Sequence, residues 1–238
     1  MARRYPPLIL GVNTDWSEFT GIPSALVDPG GMTTGATGYA AGVFTFEANP
    51  AHITVVDGYR EPMARYSFPL ADLVDLDELD LDREAVEVFL EILSKPAAPA
   101  GRHGIVVGLL NADAASYAGT DGAAWGAWYT NALAWRVASV GNTTLGTQVV
   151  PSGVPEMLRG TCLPAGNLNV TATGQALYAD GTGHRSSADT VTMTAFNLKT
   201  SHVHVGLMHV TTNPAASGET WKARVSGRKI VMGPQRPR

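Results

Sequence analysis

Strict alternation of apolar and polar side chains over residues 168–175 constrains this chain more than any other feature. Leu168, Val170 and Ala172 fall in one phase and Asn169, Thr171, Thr173 and Gln175 in the other. Successive side chains of a β-strand point to opposite faces, so one face of such a segment enters a core and the other meets water. The period recurs in residues 190–198, where Val191, Met193 and Ala195 keep phase until Phe196 breaks it. It recurs again in Trp221, Ala223 and Val225 up to Gly227, after which Ile230 and Met232 resume out of phase. Each break predicts a β-bulge, in which one extra residue turns the strand over. Residues 105–110 form a continuous apolar run of strand length, as expected of a strand buried on both faces.

The first half is less regular. Residues 43–47 and 53–57 predict two short strands joined as a hairpin, with Asp57-Gly58 supplying turn chemistry. Val86, Phe89, Leu90 and Leu93 lie at i, i+3, i+4 and i+7, with Glu84, Glu87 and Glu91 on another face, which predicts one acidic helix over residues 82–94 capped by Asp82. Residues 95–101, with two prolines and a glycine, stop it and form a connector. Residues 123–140 fit a helix through Trp125, Trp128, Tyr129 and Ala132, and a strand through Leu133, Trp135 and Val137; strand is favoured. Prolines and glycines crowd residues 1–42, which read as an extended N-terminal arm, and residues 233–238 read as a polar tail. The expectation is an all-β antiparallel sandwich, jelly-roll or concanavalin-like, over residues 43–232.

A chain of 238 residues can bury a core without covalent staples, and Cys162, the single cysteine, permits no intrachain disulfide. No apolar run reaches the ~18 residues of a membrane span, so neither membrane insertion nor an export signal is expected. The net charge of −4 conceals two oppositely charged ends: nine of the 21 acids lie between Asp72 and Glu91, and from Lys199 onward seven Lys/Arg face Glu219 alone. Such asymmetry suits either subunit contacts or plain solvation. The basic residues are too dispersed for a nucleic-acid site, and no phosphate-binding glycine motif occurs.

Few residues offer chemistry. His202 and His204 share one face of a predicted strand, about 7 Å apart along the backbone. The pair resembles the cupin H-x-H, but the carboxylate that should follow is displaced to Glu219, which leaves these histidines weak metal candidates. No cofactor is expected. Glu47, Asp57, Glu61 and Glu156 could serve glycoside hydrolysis only if two faced each other across a groove. Asn111, Asp113 and Asp121 lack the spacing of a calcium loop. Cys162 lacks the surroundings of a nucleophile. The strongest binding signal is the cluster Tyr117, Trp125, Trp128, Tyr129 and Trp135 among small residues, which suits a ring platform for a sugar or for another chain; tryptophan also suits the core, the favoured placement, with at least one of the three expected to be partly exposed.

The arm, the Thr/Gly/Ala-rich strands, residues 131–140 and the closing segments 202–212 and 220–232 resemble, in texture, the lectin-type sandwiches of phage fibres and spikes, over about residues 100–232. That resemblance implies a component of a virion or phage-like particle, made in a bacterial cytoplasm. Its sandwich would bind a cell-surface polysaccharide or another particle subunit, and it would assemble as a homo-oligomer without catalysis. Tyr5, Leu8, Trp16 and Phe19 would be the arm's gripping residues. Two alternatives stay open: a polysaccharide-degrading enzyme on a sandwich scaffold, and a capsid-decorating protein that binds no ligand.

Overall fold

Period-two patterning governs nearly all of the described chain in the computed structural model. The structure describes residues 38–40, 43–48, 62–77, 79, 84–96, 103–111, 122–131, 134–141, 144–149, 156–164, 169–177, 183–184, 190–209 and 219–231. Among them run β1 (Gly38–Ala40), β2 (Val43–Ala48), β3 (Pro62–Pro69), β4 (Glu84–Ser94), β5 (His103–Leu110), β6 (Gly122–Asn131) and β7 (Ala134–Gly141). Then follow β8 (Thr144–Val149), β9 (Met157–Pro164), β10 (Val170–Leu177), β11 (Gly183–His184), β12 (Thr190–Met193), β13 (His202–His209) and β14 (Glu219–Val231). The helical content among the described residues is two single 3-10 turns, Leu70–Asp72 and Leu198–Thr200, tied together by Leu70 N–H donating to the Ser201 carbonyl at 2.9 Å.

The strands pair antiparallel into two sheets, as an antiparallel β-sandwich requires. The larger sheet has eight strands in the order β1-β2-β14-β4-β9-β10, with β11 and β12 end to end along the far side of β10. The smaller has six, in the order β3-β13-β5-β6-β7-β8. The two last strands close both layers: β13 inserts between β3 and β5, and β14 between β2 and β4. Local pairing therefore accounts for only part of each sheet, and the remainder waits for the C-terminal segment. Proline is tolerated at both ends of β3 because that strand lies at a sheet edge.

The core is the set of alternate residues facing inward from both layers. At one end Phe44 of β2 stacks on Phe68 of β3, with centroids 6.1 Å apart and an interplanar angle of 7°, and Tyr66 tilts against Phe44 at 5.1 Å. Further along, Trp125 of β6 reaches across to the opposite sheet, where Gly160 of β9 and Gly174 of β10 are directly paired. Both glycines are required there. A Cβ at either position would lie inside 3.0 Å of the indole, so the ring occupies the depression that two absent side chains leave.

Several expectations need correction. Residues 84–94 form β4, not a helix. Val86, Val88, Leu90 and Ile92 all enter the core, while Ala85, Glu87, Phe89 and Glu91 face outward. The helical spacing combined inward Val86 and Leu90 with outward Phe89. β-Branched residues and neighbours on both sides favour the strand. Its fourth position, Leu93, is a bulge: consecutive Lys222 and Ala223 pair with Ser94 and Ile92, leaving Leu93 unpaired on that side and exposed. No register shift occurs at Gly227, where one was expected. The missing side chain there admits Val74, whose Cγ2 would lie 2.7 Å from a Cβ. Nor does Phe196 mark a bulge: β12 ends at Met193, and Ala195 takes a left-handed φ of 54° before the 3-10 turn.

Other expectations fare differently. Residues 123–140 do divide into strands, β6 and β7. β2 is flanked by β14 on one side and on the other by β1, built from the end of the segment expected to be an arm. Residues 1–37, Ile53–Asp57, most of the connector 95–101 and the tail 233–238 lie outside the described residues.

Candidate functional site

The side chains that turn away from the core on the larger sheet make a polar array. On β4 these are Glu87, Phe89 and Glu91. β14 sets Arg228, Ser226 and Arg224 opposite them, β9 sets Thr161, Arg159 and Met157 on the other side, and β10 continues the rows with Thr173 and Gln175. Antiparallel register thus gathers residues from four strands into a grid, although Glu87 and Arg228 stand 141 positions apart in the chain.

Glu87 is the centre. Its side chain is 5% exposed. Oε2 accepts from Arg228 Nε at 2.7 Å and lies 2.7 Å from Arg228 Nη2, a two-pronged contact. Oε1 accepts from Thr161 Oγ1 at 3.2 Å and lies 3.6 Å from Arg159 Nη1. Arg159 Nη2 in turn donates to Gln175 Oε1. A carboxylate this deep is tolerable only with such partners, because an uncompensated buried charge costs several kcal/mol. The Arg228 guanidinium lies 5.2 Å from the Phe89 centroid, so a cation–π contact and an ion pair fix it together. One row along, Glu91 lies 3.8 Å from Arg224. Burial holds the Glu91 carboxyl above its ordinary range, Arg224 opposes this, and Glu156 adds to it.

Exposure is graded across the grid. Glu87, Thr173, Gln175 and Ser226 are buried, whereas the Arg228 and Arg224 side chains are 32% and 41% exposed. The Ser226 hydroxyl, between the two arginines, has no hydrogen-bond partner among the described residues. Phe89 is buried as well, so the groups of the grid most open to solvent are the Arg224 and Arg228 guanidiniums and the Glu91 carboxyl, the charged donors and acceptor that a polar ligand engages.

The residues singled out in the sequence stand elsewhere. Trp125 is fully buried between the sheets, so it is a core anchor and not part of a ring platform; its parity on β6 is that of Ala123 and Ala127, which also face inward. Trp128, Tyr129 and Trp135 lie on β6 and β7 with Tyr129 paired to Trp135, but their side chains are outside the described set. Tyr117, Tyr5, Leu8, Trp16, Phe19, Asp57, Glu61, Asp113 and Asp121 are also outside it.

His202 and His204 share the outward face of β13, as alternation predicts. His204 is buried with Nε2 3.1 Å from Ser67 Oγ and 3.1 Å from the Asn111 carbonyl, so its ring ties β13 to β3 and to the end of β5. Among the described residues no three His, Cys, Asp or Glu gather as metal ligands. Cys162 is buried, and burial pushes its thiol far above the ordinary range. Glu156 is exposed beside the grid, and no helix among the described residues is long and apolar enough to cross a membrane.

In the sequence Glu87 and Glu91 belong to an acidic run and Arg224 and Arg228 to a basic end, and nothing local joins them. A signal was present. Val86-Glu87-Val88-Phe89-Leu90-Glu91-Ile92 and Arg224-Val225-Ser226-Gly227-Arg228 both alternate, placing these charges on one face of each strand.

No protein-family model matches the chain, and no curated protein matches it. Solved structures do resemble it. The CBM2 module of the evolved Dit of Lactobacillus casei BL23 phage J-1 aligns with a TM-score of 0.39 at 10% identity, covering 85% of this chain and 82% of that one. Alginate lyase A1-II′, of polysaccharide lyase family 7, gives 0.38 at 11% identity over 85% and 86%. A lyase of polysaccharide lyase family 18 gives 0.39 at 10% identity over 81% and 89%. These similarities are loose, they extend to binding modules and lyases alike, and they assign neither role.

Proposed function

We propose that this protein is a non-enzymatic adhesion or assembly subunit of a phage-like particle, and that its sandwich binds a polysaccharide on the outward face of the eight-stranded sheet. The observation that carries the reading is the Glu87-centred grid: a polar array held rigid by four strands, with two of its three arginines, Arg224 and Arg228, partly exposed. Rigid elements with locked side chains bind at low entropic cost. The particle setting and self-association rest on the resemblance to fibre and spike sandwiches and on the oppositely charged ends of the chain.

Binding accounts for the grid better than cleavage does. Glu87 and Glu91 are four positions apart on one strand, about 13 Å along the backbone, whereas paired catalytic carboxylates in glycosidases stand roughly 5 to 9.5 Å apart. Each is also engaged by an arginine. A glycan array probed with purified protein tests the reading. Retention of a defined set of polysaccharides, weakened by Arg228→Ala in a folded variant, is expected; absence of binding to every glycan would remove it.

A further inference from the structure

We infer that the ligand of this face is an acidic polysaccharide, whose carboxylates are received by Arg224 and Arg228 across Ser226. The inference rests on the reading above and deepens it. Three guanidinium groups, Arg159, Arg224 and Arg228, stand against two carboxylates, Glu87 and Glu91, in the grid. Glu156 beside the grid evens the count, but the cationic partner of each pair is the more exposed one: Arg228 at 32% against 5% for Glu87, and Arg224 at 41% against 26% for Glu91.

The arginines divide into two roles. Arg159 is nearly buried, shares Glu87 and donates to Gln175, so it belongs to the floor. Arg228 directs Nε and Nη2 at Glu87, and the Phe89 ring packs against its guanidinium. Of its five N–H donors, those on Nη1 remain for a ligand. Arg224, the more exposed of the two, is held by one 3.8 Å contact to Glu91 and can turn its planar fork outward. A guanidinium fork matches a carboxylate with two parallel hydrogen bonds, which a sugar hydroxyl cannot reproduce.

Ser226 supplies the independent observation. It is buried, and its hydroxyl on the outward side of β14 has no partner among the described residues. A buried polar group left unsatisfied is costly, and an acceptor brought between the two arginines would relieve it. Arg224 and Arg228 are four residues apart on one strand, a separation of about 13 Å that spans more than one sugar unit of a linear chain. Glu87 is then a positioning residue: it aims Arg228 without touching the ligand.

Isothermal titration of the full chain with polygalacturonate, dextran and polyglutamate tests this. Polygalacturonate is expected to bind, with affinity falling as salt rises, and to bind about tenfold more weakly to Arg224→Gln, the loss of one charge-assisted contact. Arg224 is partly exposed and held only by the long contact to Glu91, so that variant should keep its circular dichroism spectrum and melting temperature. Ser226→Asp, which sets a carboxylate between the arginines, should abolish binding. Dextran bound as tightly as polygalacturonate would overturn the acidic specificity while leaving glycan binding in place. Polyglutamate bound equally well would mean a face for acidic polymers in general and would overturn it too, as would an Arg224→Gln variant with unchanged affinity. Silence toward all polysaccharides would take down the underlying reading as well.

Discussion

Replacing Gly174 by alanine inserts one methyl group where the two sheets touch through Trp125. Built on the backbone, that methyl would lie 2.7 Å from the indole nitrogen and closer still to the adjacent ring carbon, against an ordinary contact of 3.4–4 Å. The ring cannot slide along the sheet, because Gly160 faces its other edge with equally little room, 2.5 Å from Cε3 to a built Cβ. Overpacking of this kind costs about 1 to 3 kcal/mol. Alanine in place of glycine returns something under about 1 kcal/mol through the smaller entropy of the unfolded chain, so a net loss of about 1 to 2 kcal/mol is expected. For a domain of this size that lowers the melting temperature by roughly 2 to 8 °C. Urea unfolding should show a lower midpoint at unchanged slope.

Trp125→Phe in the Gly174→Ala background should recover part of the loss. The smaller ring makes room, and the substitution removes an indole N–H that has no acceptor among the described residues. Non-additivity between the two sites is the signature of direct contact. A Gly174→Ala variant as stable as the parent, or two substitutions that simply add, would refute the seating of Trp125 between the glycines.

Three further outcomes follow from the same geometry. Glu87→Ala strands Arg159 and removes the partner of Arg228, which should destabilise by about 3 to 5 kcal/mol, with Glu87→Gln milder because one acceptor oxygen stays; a loss below about 1 kcal/mol in denaturant titrations would contradict the buried ion pair. Burial raises the folded-state value of the Glu91 carboxyl, so the folded protein holds this proton more tightly than the unfolded chain, and the associated stability is lost as pH rises from the ordinary glutamate range through the raised value. Wild type should therefore lose stability relative to Glu91→Gln across that window, and a pH-independent difference would count against it. Cys162 is buried with its thiol pushed up; a disulfide reagent should label it only at the rate of unfolding, whereas reaction within the mixing time would place it at the surface.

The sandwich was legible because alternation reports burial: Val170 and Ala172 of β10, Met193 of β12 and Trp221, Ala223 and Val225 of β14 enter the core as their phase indicates, whereas Thr173 and Gln175, on the face expected to meet water, are buried within the grid. β4 was not, because Phe89 is an apolar residue on the outward face, where it supports a guanidinium, and it completed a helical spacing by coincidence. Gly227 misled for a related reason: a glycine in a strand marks either a bulge or a close approach, and only Val74, 153 positions away in the chain, decides which. The seat of Trp125 is not legible locally, because the glycine pair that receives it lies on two other strands. For the grid, alternation could place Glu87 and Arg228 on outward faces, but that they meet depends on β14 entering between β2 and β4, a long-range pairing that no local pattern encodes.

The binding face exists only if residues 84–94 run extended between the flanking strands β9 and β14, and nuclear Overhauser contacts across that segment measure this directly. Strong sequential Hα–HN contacts, together with cross-strand contacts that connect Val88 to both Gly160 and Gly227 and Glu87 to both Thr161 and Arg228, are the predicted result. Hα–HN contacts between residues i and i+3 running through the segment, with no contacts to either flanking strand, would establish a helix and dissolve the face.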